Sequence, residues 1–348
     1  MDNGKYSKEP LRVGFGPVTD SNSYHQSGVK VAEVLDLDPR FQCGFFSWNP
    51  FRVEEMAEYD VLIFIKYVPD ADIVGKLKEL GKVMVLDYHD AFLCPSVYEN
   101  NYLRRSLKAV YYFREERKTL HALKMMDACL YANPLLADVV QRAGMRPLFL
   151  HRQIFNGGSE CNYKTPRDGD ESVVLYWTGV GLNHVQNIEI IPFLYSLRER
   201  YGCRVVYDTD TVGDVDWIEY RKFNPDTWEN DMLDADIAFR WRDTSNMQRF
   251  KDPNKVLSYM AAGLPAVVHP TESERLVMRH GETGFFANSP EEFEQVMSKL
   301  ICDPELRSRI GTAAHKDVWS KYSLRSHVEV LKGHILKLVQ ERVSGGRT

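Results

Sequence analysis

Five basic side chains, Arg240, Arg242, Arg249, Lys251 and Lys255, fall in one short stretch that runs into the pair Asp252-Pro253. That pair reads as a helix start. Asp is a good N-cap, proline is harmless at the first helical position, and Gly263 with Pro265 would end the helix after about ten residues. A helix start gathers unpaired backbone N–H groups and partial positive charge, so cations converging on it suit an anion, a diphosphate above all. Lys255 and Ser258 are three apart and share one helix face, where an ammonium and a hydroxyl can reach one ligand together; Asn254 belongs to the same first turn. Asp243 and Asp252 offset part of the charge. The run Met260-Ala261-Ala262-Gly263-Leu264-Pro265 reads as a buried helix end and turn, which is packing.

Two further groups lie where ligands of α/β proteins bind. Tyr176-Trp177-Thr178-Gly179-Val180-Gly181-Leu182-Asn183 is a strand entering a Gly-rich turn before a helix, where backbone can approach a phosphate. It contributes Gly179, Gly181 and Asn183 as candidate donor contacts. Val85-Leu86-Asp87-Tyr88-His89-Asp90 sets a histidine between acids at the carboxyl end of a strand, the ligand side of an open sheet.

The elements that must position these groups are strands and helices in alternation. Apolar, branched runs at 11–15, 61–65, 83–86, 129–131, 173–177, 204–207, 237–241 and 266–268 are separated by helix-length segments. Continuous apolar runs are buried parallel strands, and right-handed helical crossovers between them make open, doubly wound sheets. The stretch 156–171, NGGSECNYKTPRDGDE, breaks the alternation with Gly, Pro, Ser and charge, as a linker does. It divides the chain into an N-terminal Rossmann-like domain (1–155) and a C-terminal one (172–325). Val328, Leu331, Ile335, Leu338 and Val339 recur at helical spacing in the last segment (326–348), which is expected to dock back on the N-terminal domain.

KDPNKVLSYMAAGLPAVV, followed by GETGFF, resembles the C-terminal domain of glycosyltransferase family 4, a retaining family of GT-B fold: two Rossmann-like domains facing across a cleft. The resemblance is strong over about fifty residues and rests elsewhere on element order. It implies diphosphate contact for Lys255, which matches the family's first-turn Lys, and close backbone packing for Gly263. It implies contact with the transferred sugar for His89, with Asp90 beside it, and a loop facing donor phosphate and acceptor for Gly16, Ser27 and Gly28, where Ser27 replaces the first glycine of a pair. Ser258 stands where most members carry a Glu that bonds the ribose, and Phe250 where the first Glu of that spaced pair would be. Members often have an Arg and a Lys near the 179–183 turn; here the basic group around Arg240 compensates.

The function expected is transfer of a sugar from a nucleotide-diphosphate sugar to an acceptor hydroxyl, with retention, and with no cofactor or metal. Asp208-Thr209-Asp210 looks like the Asp-x-Asp motif of metal-dependent transferases of another fold, but the two-domain alternation argues against that fold. A nucleotide-sugar epimerase of the same fold and a non-catalytic GT-B partner subunit are the alternatives. The acceptor is a glycan, a lipid-linked molecule or a small molecule.

The chain of 348 residues is 44% hydrophobic with net charge -5, enough for two cores and unlike a nucleic-acid binder with its broad basic surface. Six cysteines without paired spacing suit reduced thiols, and no apolar run spans a bilayer, so a cytoplasmic enzyme is expected. The basic, aromatic run 103–124 reads as a solvated helix, with contact to the inner membrane face as the lesser reading.

Overall fold

The computed structural model describes residues 9–47, 51–89, 103, 106, 117–153, 172–179, 181–224, 227–242 and 249–345. The stretch 156–171, Asp90 and most of the run 103–124 lie outside them.

The chain forms two compact units: Met1–His151 with Ser245–Asp252 and Leu324–Thr348, and Arg152–Thr244 with Pro253–Ser323. In the first, β1 (Leu11–Gly16), β2 (Phe41–Phe45), β3 (Val61–Ile65), β4 (Val83–Tyr88), β5 (Ala128–Tyr131) and β6 (Pro147–Phe149) pair in the order β2-β1-β3-β4-β5-β6. Every pair is parallel. In the second, β7 (Val174–Thr178), β8 (Arg204–Thr209), β9 (Glu219–Lys222), β10 (Ile237–Arg240), β11 (Ala266–Val268) and β12 (Phe285–Phe286) run in the order β12-β11-β10-β7-β8-β9, again all parallel. The principal helices are α1 (Lys30–Leu35), α2 (Ala71–Glu79), α3 (Pro134–Arg142), α4 (Ile191–Tyr201), α5 (Asn254–Ala261), α6 (Glu272–Val277), α7 (Pro290–Cys302), α8 (Pro304–Lys321) and α9 (Leu324–Gly345).

Strands with both faces buried need core on both sides, and successive side chains point to opposite faces. In β3, Val61, Ile63 and Ile65 join the cluster of Val13, Phe15 and Val31, whereas Leu62 and Phe64 join that of Met84, Leu86 and Leu136. In the second unit Ile237, Phe239 and Trp241 belong to one face with Trp177 and Tyr207, and Ala238 to the other with Tyr176, Tyr259 and Met260. Both units are therefore doubly wound and Rossmann-like. The topological switch points, where strand order reverses, fall between β1 and β3 and between β7 and β10, and ligands of such sheets bind at the carboxyl ends there.

The α9 stripe Val328, Leu331, Ile335 and Leu338 is buried in the first unit's core with Val13, Val31 and Leu35, and Val339 packs against the same cluster. Polar contacts flank it: Lys332 Nζ lies 3.1 Å from Asp38, Arg342 donates to the Lys82 carbonyl, and His327 Nδ1 meets the His151 carbonyl at 2.7 Å. Among the described residues no helix is long and apolar enough to cross a membrane.

Truncating a buried leucine loses transfer free energy and leaves a cavity, about 2–5 kcal/mol. Leu331→Ala should therefore speed amide exchange in β1 and β3, measured by native-state hydrogen exchange. Unchanged protection in those strands would show that α9 does not support their core.

Candidate active site

At the switch point of the second sheet, Lys255 in the first turn of α5 meets the strand-to-helix turn after β7. Its ammonium lies 5.0 Å from the centroid of a Trp177 ring. It would be 2.8 Å from a Cβ placed on Gly179, and that Cβ would be only 2.3 Å from the indole. Of the sequence candidates, the structure thus brings Lys255 and Gly179 together. Trp177 is part of that group through a cation–π contact that spacing alone could not reveal. Gly181 and Asn183 follow in a 3-10 helix, Gly181–Ile190.

The helix start differs from the expectation in register. α5 begins at Asn254, and Pro253, with φ -83° and ψ 22°, is the N-cap instead of the first helical residue; no side chain caps the helix. The ψ of Pro253 is well outside the helical range, and Asp252 is consequently one residue too early to cap. The helix has eight residues. Ser258 is buried and its hydroxyl donates to the Asn254 carbonyl at 3.1 Å, a bond within the helix. Gly263, at φ 73°, ends the helix in the left-handed conformation that favours glycine, and Gly311 of α8 packs against its carbonyl.

Beneath α5 lies a buried polar network. Tyr176 Oη donates to Asp208 Oδ2 at 2.8 Å, and the Thr178 N–H donates to Tyr259 Oη at 3.2 Å. Burial pushes the Tyr259 phenol up to about 12 and raises the Tyr176 phenol further, so both stay protonated. Burial also raises the Asp208 carboxyl, against the opposing effect of the Tyr176 hydrogen bond. The Asp-x-Asp residues are used separately: Asp208 is buried under Tyr176, whereas Asp210 is exposed and accepts from Thr211.

The basic stretch is divided between the two units. Arg242 is wholly buried, with Nη2 2.7 Å from Glu274 Oε1. Arg240 is nearly so, with Nε 3.5 Å from the same oxygen. A buried guanidinium needs a carboxylate close by, and Glu274 of α6 supplies it while also closing a capping box with Thr271. Arg242 is therefore a structural ion-pair partner rather than an exposed donor contact. Arg249 and Lys251 group with the first unit, where Asn133 Nδ2 donates to their carbonyls at 2.7 and 3.2 Å. Phe250 packs against the core that contains Leu86 and Tyr88, which gives this aromatic a packing role.

In the first unit, His89 and Ser27 meet as buried partners at the ligand end of the sheet. His89 Nε2 is 2.8 Å from Asp87 Oδ2 and 3.2 Å from Ser27 Oγ. The carboxylate orients the ring through Nε2 and leaves Nδ1 for other contacts. Asp87, whose role the sequence reading missed, is the orienting group. Gly16 and Gly28 are close-packing positions: a Cβ would fall 2.5 Å from the Phe46 ring at the first and 2.9 Å from Ile65 Cδ1 at the second.

Residues 193–333 match a family model described as glycosyl transferase-like. No curated protein sequence matches the chain significantly. Among solved structures it is similar to sucrose-phosphate synthase from Thermosynechococcus elongatus, at 10% identity and TM-score 0.66 over 95% of this chain and 100% of that one. It is similar to HepE of Anabaena in complex with UDP-glucose, at 12% identity and TM-score 0.64 over 94% and 100% of the two chains. A glycosyltransferase from Rickettsia africae ESF-5 matches at 13% identity and TM-score 0.64 over 96% and 99%. At these identities the likeness is one of fold, and the fold is GT-B.

The raised Asp208 carboxyl has a measurable consequence. The folded chain holds that proton more tightly than the unfolded chain, so its contribution to stability is full below the ordinary aspartate value of about 3.9 and is lost as pH rises through the folded value. Asp208→Asn is neutral throughout and can still accept from Tyr176. Its melting temperature relative to the native chain should therefore be higher at about pH 7 than at about pH 4. A difference that stays constant or reverses would show that the carboxyl is not raised.

Proposed function

We propose that the chain transfers a sugar from a nucleotide-diphosphate sugar to an acceptor hydroxyl. The observation that carries this reading is the ammonium of Lys255 held against Trp177 and Gly179 at the switch point of the second sheet. The glycosyl transferase-like match includes Lys255, and HepE, of similar fold, was solved with UDP-glucose; both support a nucleotide-sugar donor.

In the reaction the bond between the anomeric carbon and the diphosphate oxygen breaks, and the acceptor hydroxyl forms the new glycosidic bond and gives up its proton. Negative charge grows on the departing diphosphate. Lys255 and the N–H groups at the start of α5 are positioned to stabilise it; one such preorganised donor contributes about 3 kcal/mol. Gly179, Gly181 and Asn183 lie along the turn that admits the donor backbone-close, with Asn254 in the first turn of α5. His89, its Nε2 committed to Asp87, offers Nδ1 to a sugar hydroxyl; Gly16, Ser27 and Gly28 form the acceptor-side group, to which the family resemblance adds Asp90. Membership of glycosyltransferase family 4, retention of configuration and independence of metal complete the proposal.

A non-catalytic role is the second reading, and Ser258 favours it. Its hydroxyl is turned back onto the Asn254 carbonyl, at the position where the family resemblance expects a carboxylate for the ribose.

Titration of nucleoside diphosphates and nucleotide sugars, followed by transfer assays, separates the two. Lys255→Ala should weaken diphosphate binding and reduce turnover at least about tenfold with the fold intact, and activity should persist in excess chelator. Unchanged kinetics would remove Lys255 from the site; loss restored by a divalent metal would overturn metal independence. Binding without turnover would identify a non-catalytic subunit.

A further inference from the structure

Among the described residues, two buried guanidinium groups beside α5 share one carboxylate. Glu274 Oε1 lies 2.7 Å from Arg242 Nη2 and 3.5 Å from Arg240 Nε, so two guanidinium groups face one carboxylate oxygen. Its other oxygen is occupied by the Thr271 N–H at 3.2 Å and by the Thr271 hydroxyl. The Arg240 side chain makes no hydrogen bond among the described residues, although it is nine-tenths buried and its Nε is wholly enclosed. Tyr259, the other group that acts on it electrostatically, is a neutral phenol. His269 Nδ1 also lacks a hydrogen-bond partner, and burial lowers that imidazole, which keeps it neutral and supplies no counter-charge.

A guanidinium carries five N–H donors in a fixed fork, and enclosing it without acceptors costs more than an apolar side chain of the same volume would. Such a cost is characteristic of a group preorganised for an oxyanion, which a guanidinium grips through parallel N–H bonds. The location agrees. Arg240 ends β10, two residues beyond the Ala238–Tyr176 pair, and shares with Ala238 the sheet face on which α5 packs. Tyr259, beside it, accepts from the N–H of Thr178, the residue before Gly179.

We infer that Arg240 is an oxyanion-binding group of the donor site, held by Glu274 and taking a phosphate or carboxylate oxygen of the donor. This rests on the reading of that switch point as the donor site. Arg242, wholly buried and 2.7 Å from Glu274 Oε1, has no such part. The shared chemistry is an oxyanion facing a guanidinium; its source is either the diphosphate itself or a carboxylate on the transferred sugar.

Thermal-shift and calorimetric titrations of the full chain and of Arg240→Met test this with inorganic pyrophosphate, UDP, UDP-glucose and UDP-glucuronate. Without ligand, Arg240→Met should melt at or above the native chain, because an apolar stem replaces a buried charge. Its affinity for the oxyanion should fall at least about tenfold, and Arg240→Lys should recover part of the loss. A loss shared by pyrophosphate and UDP assigns the diphosphate; a loss confined to UDP-glucuronate assigns a sugar carboxylate.

The inference is overturned if Arg240→Met binds all four probes as the native chain does. It is also overturned if the variant melts well below the native chain without ligand, or if no probe stabilises the native chain. Binding of UDP that is indifferent to Arg240 would remove this inference and leave the donor reading standing. Binding of pyrophosphate through Arg240, with no nucleotide bound, would do the reverse.

Discussion

Residue 179 has no room for a side chain. Any Cβ there would collide with the Trp177 indole and crowd the Lys255 ammonium, so a backbone without substituent is what lets strand, helix and cation converge. Trp177 cannot yield, because its ring is 2% exposed and packs 4.9 Å from Tyr207 within the core on that face of the sheet. Lys255 is fixed in turn by α5, whose Val256, Leu257, Tyr259 and Met260 are buried on the other face. The position of one ammonium thus depends on both cores of the second unit, which meet at the end of β7.

The same unit shows how differently its cations are treated. Arg242 is neutralised inside the fold by Glu274, at the cost of burying both charges. Lys255 rests on the Trp177 ring, an attraction that lowers the cost of its charge. In the first unit the analogous economy is achieved by Asp87, which orients His89 and leaves one imidazole nitrogen for other contacts.

Much of this was legible from residue order. The eight apolar runs are strands because they are buried on both faces and so carry little polar alternation to confuse them. β2, β6, β9 and β12 were not recognised. They are the edge strands of the two sheets, and they are short or partly exposed: Glu219–Lys222 reads EYRK, and Phe285–Phe286 has only two residues. Edge strands need not be apolar, so hydrophobic pattern fails on them. The Gly179 turn and Lys255 were each visible as motifs, yet their meeting is tertiary. The pairing of Arg242 with Glu274 is invisible in sequence, because a basic stretch looks alike whether its cations face solvent or a carboxylate from a later helix. Phe250 shows the converse: its departure from the family pattern has a packing reason that only the first unit's core supplies.

The most direct measurement is calorimetric titration of UDP and other nucleoside diphosphates into the native chain and into Gly179→Ala, under conditions where the melting profile shows both to be folded. An added methyl would clash with the fixed Trp177 ring and crowd the Lys255 ammonium, so the turn and the cation beside it must shift. The account predicts that the native chain binds a nucleoside diphosphate and that the variant binds it at least about tenfold more weakly. Equal affinity in the two proteins would contradict it, because the ligand would then be bound somewhere other than the turn after β7.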